Sequence, residues 1–549
     1  MSIRKDCCFS LGRYKPPKRR FLAPLIDQKG SIIGMDTQTK IGQRLCTGFS
    51  GYDIPAEFER YIRESKIGNV ILFAHNVQNA RQLKQLCADL QALIREVTGF
   101  PPLIAVDQEG GVVSCLSDDF TLTPSAMALA AAGDPKLAHQ AGLITGLELS
   151  ALGVNLNLAP VADINKNPDN PVIGVRSFGE DPEKVAEYSV ALMRGLMEGG
   201  VLCCAKHFPG HGDTSVDSHI GLPGIDRTLE QLEACELVPF QRLVDQGIPG
   251  VMSAHILFPL LGGSHVPATM SREIMTGLLK ERMGFKGLVL SDCMMMGAVA
   301  DHYGTINGAA AAVRAGVDIV LISHDARLAG LAAQHLRAEL EAGGLDREEF
   351  DRSVNKILDY KKKLKAPGRD ALSSVGCTKH REQAANMYAR SVTAVRLPFQ
   401  TLPHPGKNPL FVGCMPYFTT AACKPESAAL SFSRFMQKRF GGDMLELSDN
   451  PDADEIALAA GEAPGHSCLI IGTYNAHIRP GQMDLVWALS EKGIPCVCVA
   501  LRNPYDLRGL PPQVSALAAY SYHDFTFQAV ARVLAGEMEA QGQLPVTLE

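Results

Sequence analysis

A chain of 549 residues exceeds one ordinary domain, so two domains with full-sized cores are expected. Hydrophobic residues make up 46 % and charged residues 20 %, a balance that excludes large-scale disorder. The net charge of −6 argues against a nucleic-acid partner, which needs a basic face.

The basic cluster "RYKPPKRR" at 13–20 is short and reads as part of a solvated arm over residues 1–30. No apolar leader segment is recognisable before it. No run of about 18 uncharged apolar residues occurs anywhere, so no membrane partner is expected. The fifteen cysteines are odd in number and lack a Cys-x-x-Cys pair, which removes support for zinc ribbons and iron–sulfur clusters. Several sit inside apolar runs, as small buried hydrophobes in a reducing compartment would. A cytoplasmic location is therefore expected.

Eight short apolar runs follow in chain order, at 44–51, 69–74, 102–107, 154–160, 201–207, 250–255, 287–292 and 317–323. Between them lie helical patterns at 78–97, 134–151, 181–198, 229–245, 271–282 and 305–315. The segment at 134–151 starts with Asp-Pro and stops at a glycine, as a helix should. Strands alternating with helices imply a parallel sheet buried on both faces. Eight such units predict a closed (β/α)8 TIM-type barrel over 31–360, with an open doubly wound sheet as the alternative. Polar residues crowd the C-terminal ends of the runs: Asp107, Asp163, Lys206–His207, His255 and Asp292. In a barrel that rim carries the chemistry.

The pattern changes near 361–390, where "KKKLKAPGRD" reads as a linker. Residues 391–549 then form a smaller α/β sandwich domain, with strands at 468–475 and 495–507 around a helix. His477, after the first of these, reads as a surface-loop residue in preference to a site residue.

One stretch concentrates chemistry: "KHFPGHGDTSVDSHIGLP" at 206–223. Pro209 and Gly210 break the His207–His211 spacing that a helical zinc site needs, so no metal is expected. The glycines do not follow a phosphate-loop pattern, so no nucleotide cofactor is expected either. Asp217 and His219 share a face of an extended loop, where a carboxylate fixes an imidazole's tautomer. Such a pair is a candidate general acid/base, and Asp292 at the opposite rim is a candidate attacking carboxylate.

These motifs resemble glycoside hydrolase family 3, in its two-domain β-N-acetylglucosaminidase branch. The carrying segments are "IAVDQEGG" at 104–111, "TPSAMALA" at 123–130, "NPVIGVRSFGEDP" at 170–182 and the 206–219 loop. "VMSAHI" at 251–256, "PATMS" at 267–271 and "GFKGLVLSD" at 284–292 complete the order. "ALRNPYDL" at 500–507 and "GQLPVT" at 542–547 extend it into the second domain. The resemblance implies a retaining exo-hydrolase that removes β-linked N-acetylglucosamine from glycans or cell-wall muropeptides. It implies Asp292 as nucleophile and His219, with Asp217, as acid/base. Asp107, Arg176, Lys206 and His207 would bind hydroxyls of the sugar, and the two cations would help keep Asp292 ionised. Three positions depart from the family, one of them Cys293, where the residue after the nucleophile is usually acidic. The family's Gly-Gly-Arg-Val-x-Arg run reads Gly110-Gly111-Val112-Val113-Ser114-Cys115 here, and the second of the missing arginines contacts the sugar. A thiol at 115 cannot donate as a charged fork does. The alternatives on the same scaffold are a phosphorylase and a catalytically weak sugar-binding homologue.

Overall fold

The structure, a computed structural model, describes residues 34–215, 221–261, 266–364, 371–417 and 430–548. Asp217 and His219 lie outside the described residues, as do the N-terminal arm over 1–30 and the stretch 365–370 of the expected linker.

The eight apolar runs form the strands of a closed parallel barrel. They are β1 (Leu45–Thr47), β2 (Asn69–Leu72), β3 (Leu103–Val106), β4 (Leu156–Asn157), β5 (Leu202–Phe208), β6 (Gly250–Ser253), β7 (Leu288–Cys293) and β8 (Ile319–Ile322). Closure comes from β1 pairing with β8, Cys46 opposite Leu321. Side chains alternate. Ile71, Ala105, Cys204, Met252, Leu290 and Leu321 pack together in the interior. Their neighbours Val70, Ile104, Val251, Val289 and Val320 pack outward with the helices.

The helices begin where their caps dictate. Asp134 caps Pro135–Leu152 from the first turn, and Gly153 closes it in the left-handed region. Helix Pro182–Glu198 crosses it so closely that a Cβ on Gly195 would lie 2.0 Å from the His139 carbonyl. The expected helix at 271–282 is a π-helix, Glu273–Arg282. No helix among the described residues is long and apolar enough to cross a membrane.

The second sheet comprises β9 (Thr393–Arg396), β10 (Leu410–Cys414), β11 (Asp443–Leu447), β12 (Leu469–Thr473), β13 (Cys496–Ala500) and β14 (Ser515–Ala518). Its order is β11-β10-β12-β13-β14-β9, all parallel except β9. Within the stretch expected as linker, residues 378–391 form a helix, whose His380 is held by buried Glu148 of the barrel at 2.7 Å.

The two units share a hydrophobic cluster. Met127, Ala128, Ala131 and Val175 of the barrel pack with Tyr505, Leu507 and the strand residues of the second sheet. Val112, where the family carries an arginine, packs against this same cluster. Asn165 donates to the Tyr505 hydroxyl at 2.7 Å. The second domain is thereby fixed to the loops at the C-terminal mouth of the barrel.

Candidate active site

The loop after β3 and the end of β5 supply a four-membered charge cluster. Lys206 Nζ lies 2.6 Å from Asp107 Oδ1 and 2.7 Å from Glu109 Oε1. Arg176 grips Glu109 with two parallel bonds, Nε to Oε2 and Nη2 to Oε1, each 2.8 Å. Burial alone would raise the Glu109 pKa. Arg176 and Lys206 outweigh it and hold the carboxyl at about 2. Burial likewise opposes the charge on Lys206, and Asp107 and Glu109 reverse that and raise its pKa. Glu109 is the deeper carboxylate, with 6 % of its side chain exposed against 18 % for Asp107. Glu109 therefore anchors the cations, while Asp107 presents an edge to the mouth.

Arg176 ends a short turn, Gly174–Arg176. Buried Asn170 shapes the approach to it, accepting from Val172 and Ile173 amides at 2.9 and 2.8 Å. The same side chain donates to the His211 carbonyl at 2.9 Å, which ties this loop to the start of the 206–223 loop.

His207 is oriented from behind. Its Nδ1 lies 2.7 Å from Asp163 Oδ2, and the His211 amide donates to Asp163 Oδ1 at 2.7 Å. Asp163 is wholly buried. Burial would raise its pKa, but His207 and then His211 hold it below the usual carboxylate range. An Nδ1 engaged by a carboxylate leaves Nε2 as the ring atom for other partners. Burial and His207 push His211 down to about 4, so it stays neutral and structural. Gly212 is required there: a Cβ would lie 1.7 Å from the Ile164 carbonyl. Further along, Asp213 is held by Arg227 at 2.7 Å.

Asp292 sits half-buried at the C-terminal end of β7, with Oδ1 accepting from the Cys293 amide at 2.7 Å. His255 supports the same strand end by bonding the Cys293 carbonyl at 3.0 Å. Burial pushes the thiol of Cys204, in the barrel interior, far up, with Lys206 opposing and Asp107 and Asp292 adding to the rise.

The structure thus brings Asp107, Arg176 and Lys206 into one cluster, with His207 beside it and Asp292 across the mouth. Glu109 was missed by sequence reasoning, although it stands in the quoted "DQEGG". Both cations expected to support Asp292 are engaged by Glu109 and Asp107. Cys115 proves to be a core residue. The residue is 5 % exposed and belongs to the same hydrophobic cluster as Leu116 and Phe120. Its amide donates to Gln108 Oε1 at 3.2 Å, and its thiol faces the same oxygen at 3.9 Å. His477 is not on a surface loop: its side chain is 7 % exposed and Nδ1 lies 2.9 Å from buried Asp506. Among the described residues no group of three or more His, Cys, Asp or Glu is arranged to hold a metal ion.

Residues 36–360 match the family model described as the glycosyl hydrolase family 3 N terminal domain. The chain belongs to glycoside hydrolase family 3. Among its relatives, beta-hexosaminidase A of Pseudoalteromonas piscicida is 30 % identical over 94 % of this chain and 98 % of its own length. A beta-hexosaminidase of Chromobacterium violaceum is 42 % identical over 48 % of this chain and 76 % of its own. The solved structure of a family 3 beta-N-acetylglucosaminidase from Paenibacillus sp. FPU-7 superposes with a TM-score of 0.88 at 35 % identity. It covers 94 % of this chain and 99 % of that one, so the likeness includes both domains of the family 3 architecture.

Proposed function

We propose that this chain is a retaining exo-β-N-acetylglucosaminidase. The observation that carries the reading is the Asp107–Lys206–Glu109–Arg176 cluster facing Asp292 across the mouth of a family 3 barrel. Its near full-length relatives are named for hexosaminidase and N-acetylglucosaminidase activity.

Asp107 accepts from sugar hydroxyls, Lys206 and Arg176 donate to them, and His207 offers the ring nitrogen that Asp163 leaves over. The Asp292 carboxylate attacks C1 of the bound sugar. The C1–oxygen bond to the leaving group breaks, and His219 gives that oxygen its proton. His219, with Asp217 as its expected partner, then takes a proton from water as the water oxygen attacks C1 and releases Asp292 as a carboxylate. Two displacements at C1 retain the configuration. Muropeptide fragments in the cytoplasm fit as substrates, because their β-linked N-acetylglucosamine is terminal and exposed.

The test is release of an aryl leaving group from β-N-acetylglucosaminides, N-acetylgalactosaminides and glucosides, with and without phosphate. Asp292→Ala should lose on the order of 10³-fold or more in kcat, about 4 kcal/mol of transition-state stabilisation. Full activity in Asp292→Ala sinks the assignment, and a sugar 1-phosphate product replaces hydrolysis with phosphorolysis.

A further inference from the structure

A large cavity lies at the opposite end of the barrel from the mouth. It has a volume of about 890 Å³ and is walled by the N-terminal ends of the closing strands, the π-helix Glu273–Arg282 and helix Arg347–Lys362. Seven Lys or Arg side chains line it against four Asp or Glu. Two of the seven, Arg314 and Arg352, pair with Glu339 and Glu348 beside the cavity, which leaves the cations at its inner end as the ones short of a carboxylate.

The inner end is the crowded part. Arg44, 2 % exposed, immediately precedes β1, and buried Asp318 immediately precedes β8. Arg44 donates Nε to the Asp318 carbonyl at 2.6 Å and Nη2 to the Val317 carbonyl at 2.5 Å. Lys356 binds Asp318 Oδ2 at 2.8 Å. Lys280 reaches in from the π-helix to the Gly316 carbonyl at 2.5 Å. Gly316, at φ +110°, makes room for it, since a Cβ there would lie 3.1 Å from Lys280 Nζ. Lys356 alone of these cations bonds the Asp318 carboxylate, which also accepts from Ser353 and the Val289 amide, while Arg44 and Lys280 donate only to backbone carbonyls around it. Glu349, the next acid, is shared with Arg272. Burial lowers the Lys280 pKa, Asp318 opposes that, and Lys356 and Arg44 add to the lowering. Buried positive charge without a matching anion is costly, and such a site gains by taking one up.

We propose that this floor cavity binds a small phosphoryl oxyanion carrying at least two negative charges, and that the ligand locks the β1–β8 seam. A phosphorylated metabolite fits the volume, which lies within the range of about 300–1,000 Å³ usual for small-molecule sites. Guanidinium and ammonium groups together suit phosphate oxygens. The floor of a barrel governs stability and its mouth governs chemistry, so binding here raises stability without competing with substrate.

The experiment is thermal unfolding of the full chain with pyrophosphate, inorganic phosphate, citrate, or sodium chloride at matched ionic strength. Pyrophosphate should give a saturable rise in Tm, on the order of 2 °C or more beyond chloride, in the wild type. Lys280→Gln should abolish that rise and leave kcat and KM for the aryl glycoside unchanged. Arg352→Gln, at the exposed rim of the cavity, should weaken it and serves if Lys280→Gln does not fold. A response no greater than chloride overturns the proposal, as does a rise that survives both substitutions. Stabilisation by citrate alone overturns the phosphoryl assignment. Any effect of phosphate on turnover belongs to the mouth and persists in Lys280→Gln.

Discussion

Arg176 and Glu109 form a two-pronged ion pair at 2.8 Å on each prong, both nearly buried, and Lys206 shares the Oε1 of the same carboxylate at 2.7 Å. Two cations that would face the substrate are therefore held by a carboxylate that need not touch it. Glu109→Gln should uncouple them. Breaking a buried pair costs about 3–5 kcal/mol of stability, and a lost charged hydrogen bond is worth about 1.5–3 kcal/mol in positioning. The variant should lose roughly 10- to 100-fold in kcat/KM, mostly through KM.

The same group sets an acid limit. Its folded pKa of about 2 lies below the ordinary 4.5, so it stabilises the fold fully above about pH 4.5. That contribution is lost as pH falls from there toward 2. Urea unfolding from pH 5 to 2.5 should show a stability loss in the wild type that Glu109→Gln lacks.

Why Glu109 escaped the sequence is physical. It lies in an aperiodic loop, and its partners are 67 and 97 residues away, which no local pattern encodes. The barrel was legible because each strand is a short apolar run set between amphipathic helices. The rim carboxylates were legible because they end those runs. Asp163 stood among the rim residues, but its hold on His207 depends on how the β5 end and the following loop fold back. His477 looked like a loop residue because its burial comes from Asp506 and Tyr505, which arrive from a later strand end. The strand order of the second sheet, with β9 added antiparallel at the edge, has no signature in the chain.

Cys115 decides whether the missing arginine matters. The thiol lies in the core, so restoring the family's arginine should not restore a sugar contact. Cys115→Arg would force a charge among Leu116, Phe120 and their neighbours. A loss of more than about 3 kcal/mol is expected, against less than about 1.5 kcal/mol for Cys115→Ala. Equal stability of Cys115→Arg and wild type, with a lower KM, would contradict the buried placement.

Gly174 links the second domain to the sugar-binding cluster. Its φ is +45°, and a Cβ there would lie 2.5 Å from Asn503 Oδ1. Asn503 cannot easily retreat, because its Nδ2 bonds Asn475 Oδ1 at 2.9 Å. Gly174→Ala should push the turn that carries Arg176 away from the second domain. The expected cost is about 1–3 kcal/mol of stability. KM should rise with kcat little changed, since Arg176 is displaced while Asp292 at the end of β7 keeps its place. An unaltered KM would show that the domain contact is only structural.

Lys361 gives the clearest pH signature. It projects from helix Arg347–Lys362 into the barrel floor, is 2 % exposed, and donates to Gln43 Oε1 at 2.6 Å and the Gly68 carbonyl at 2.8 Å. Burial lowers its pKa to about 7, and no carboxylate compensates. Unfolded, the amine titrates near its ordinary value of about 10.4. Between these values the unfolded chain binds the proton and the folded chain does not, so stability rises with pH across that window. Below pH 7 both states are protonated and the penalty is constant. Lys361→Met removes the titration and keeps most of the volume. The difference in unfolding free energy, wild type minus Lys361→Met, should grow by up to about 1.4 kcal/mol per pH unit between pH 7.5 and 10. Cys46 is the thiol that feels Lys361, and burial pushes it up so far that it stays protonated in the folded state across this window with or without the amine. A difference that stays flat across that range would mean that Lys361 keeps its charge inside the barrel floor, and that the adjoining cavity is better hydrated than its packing indicates.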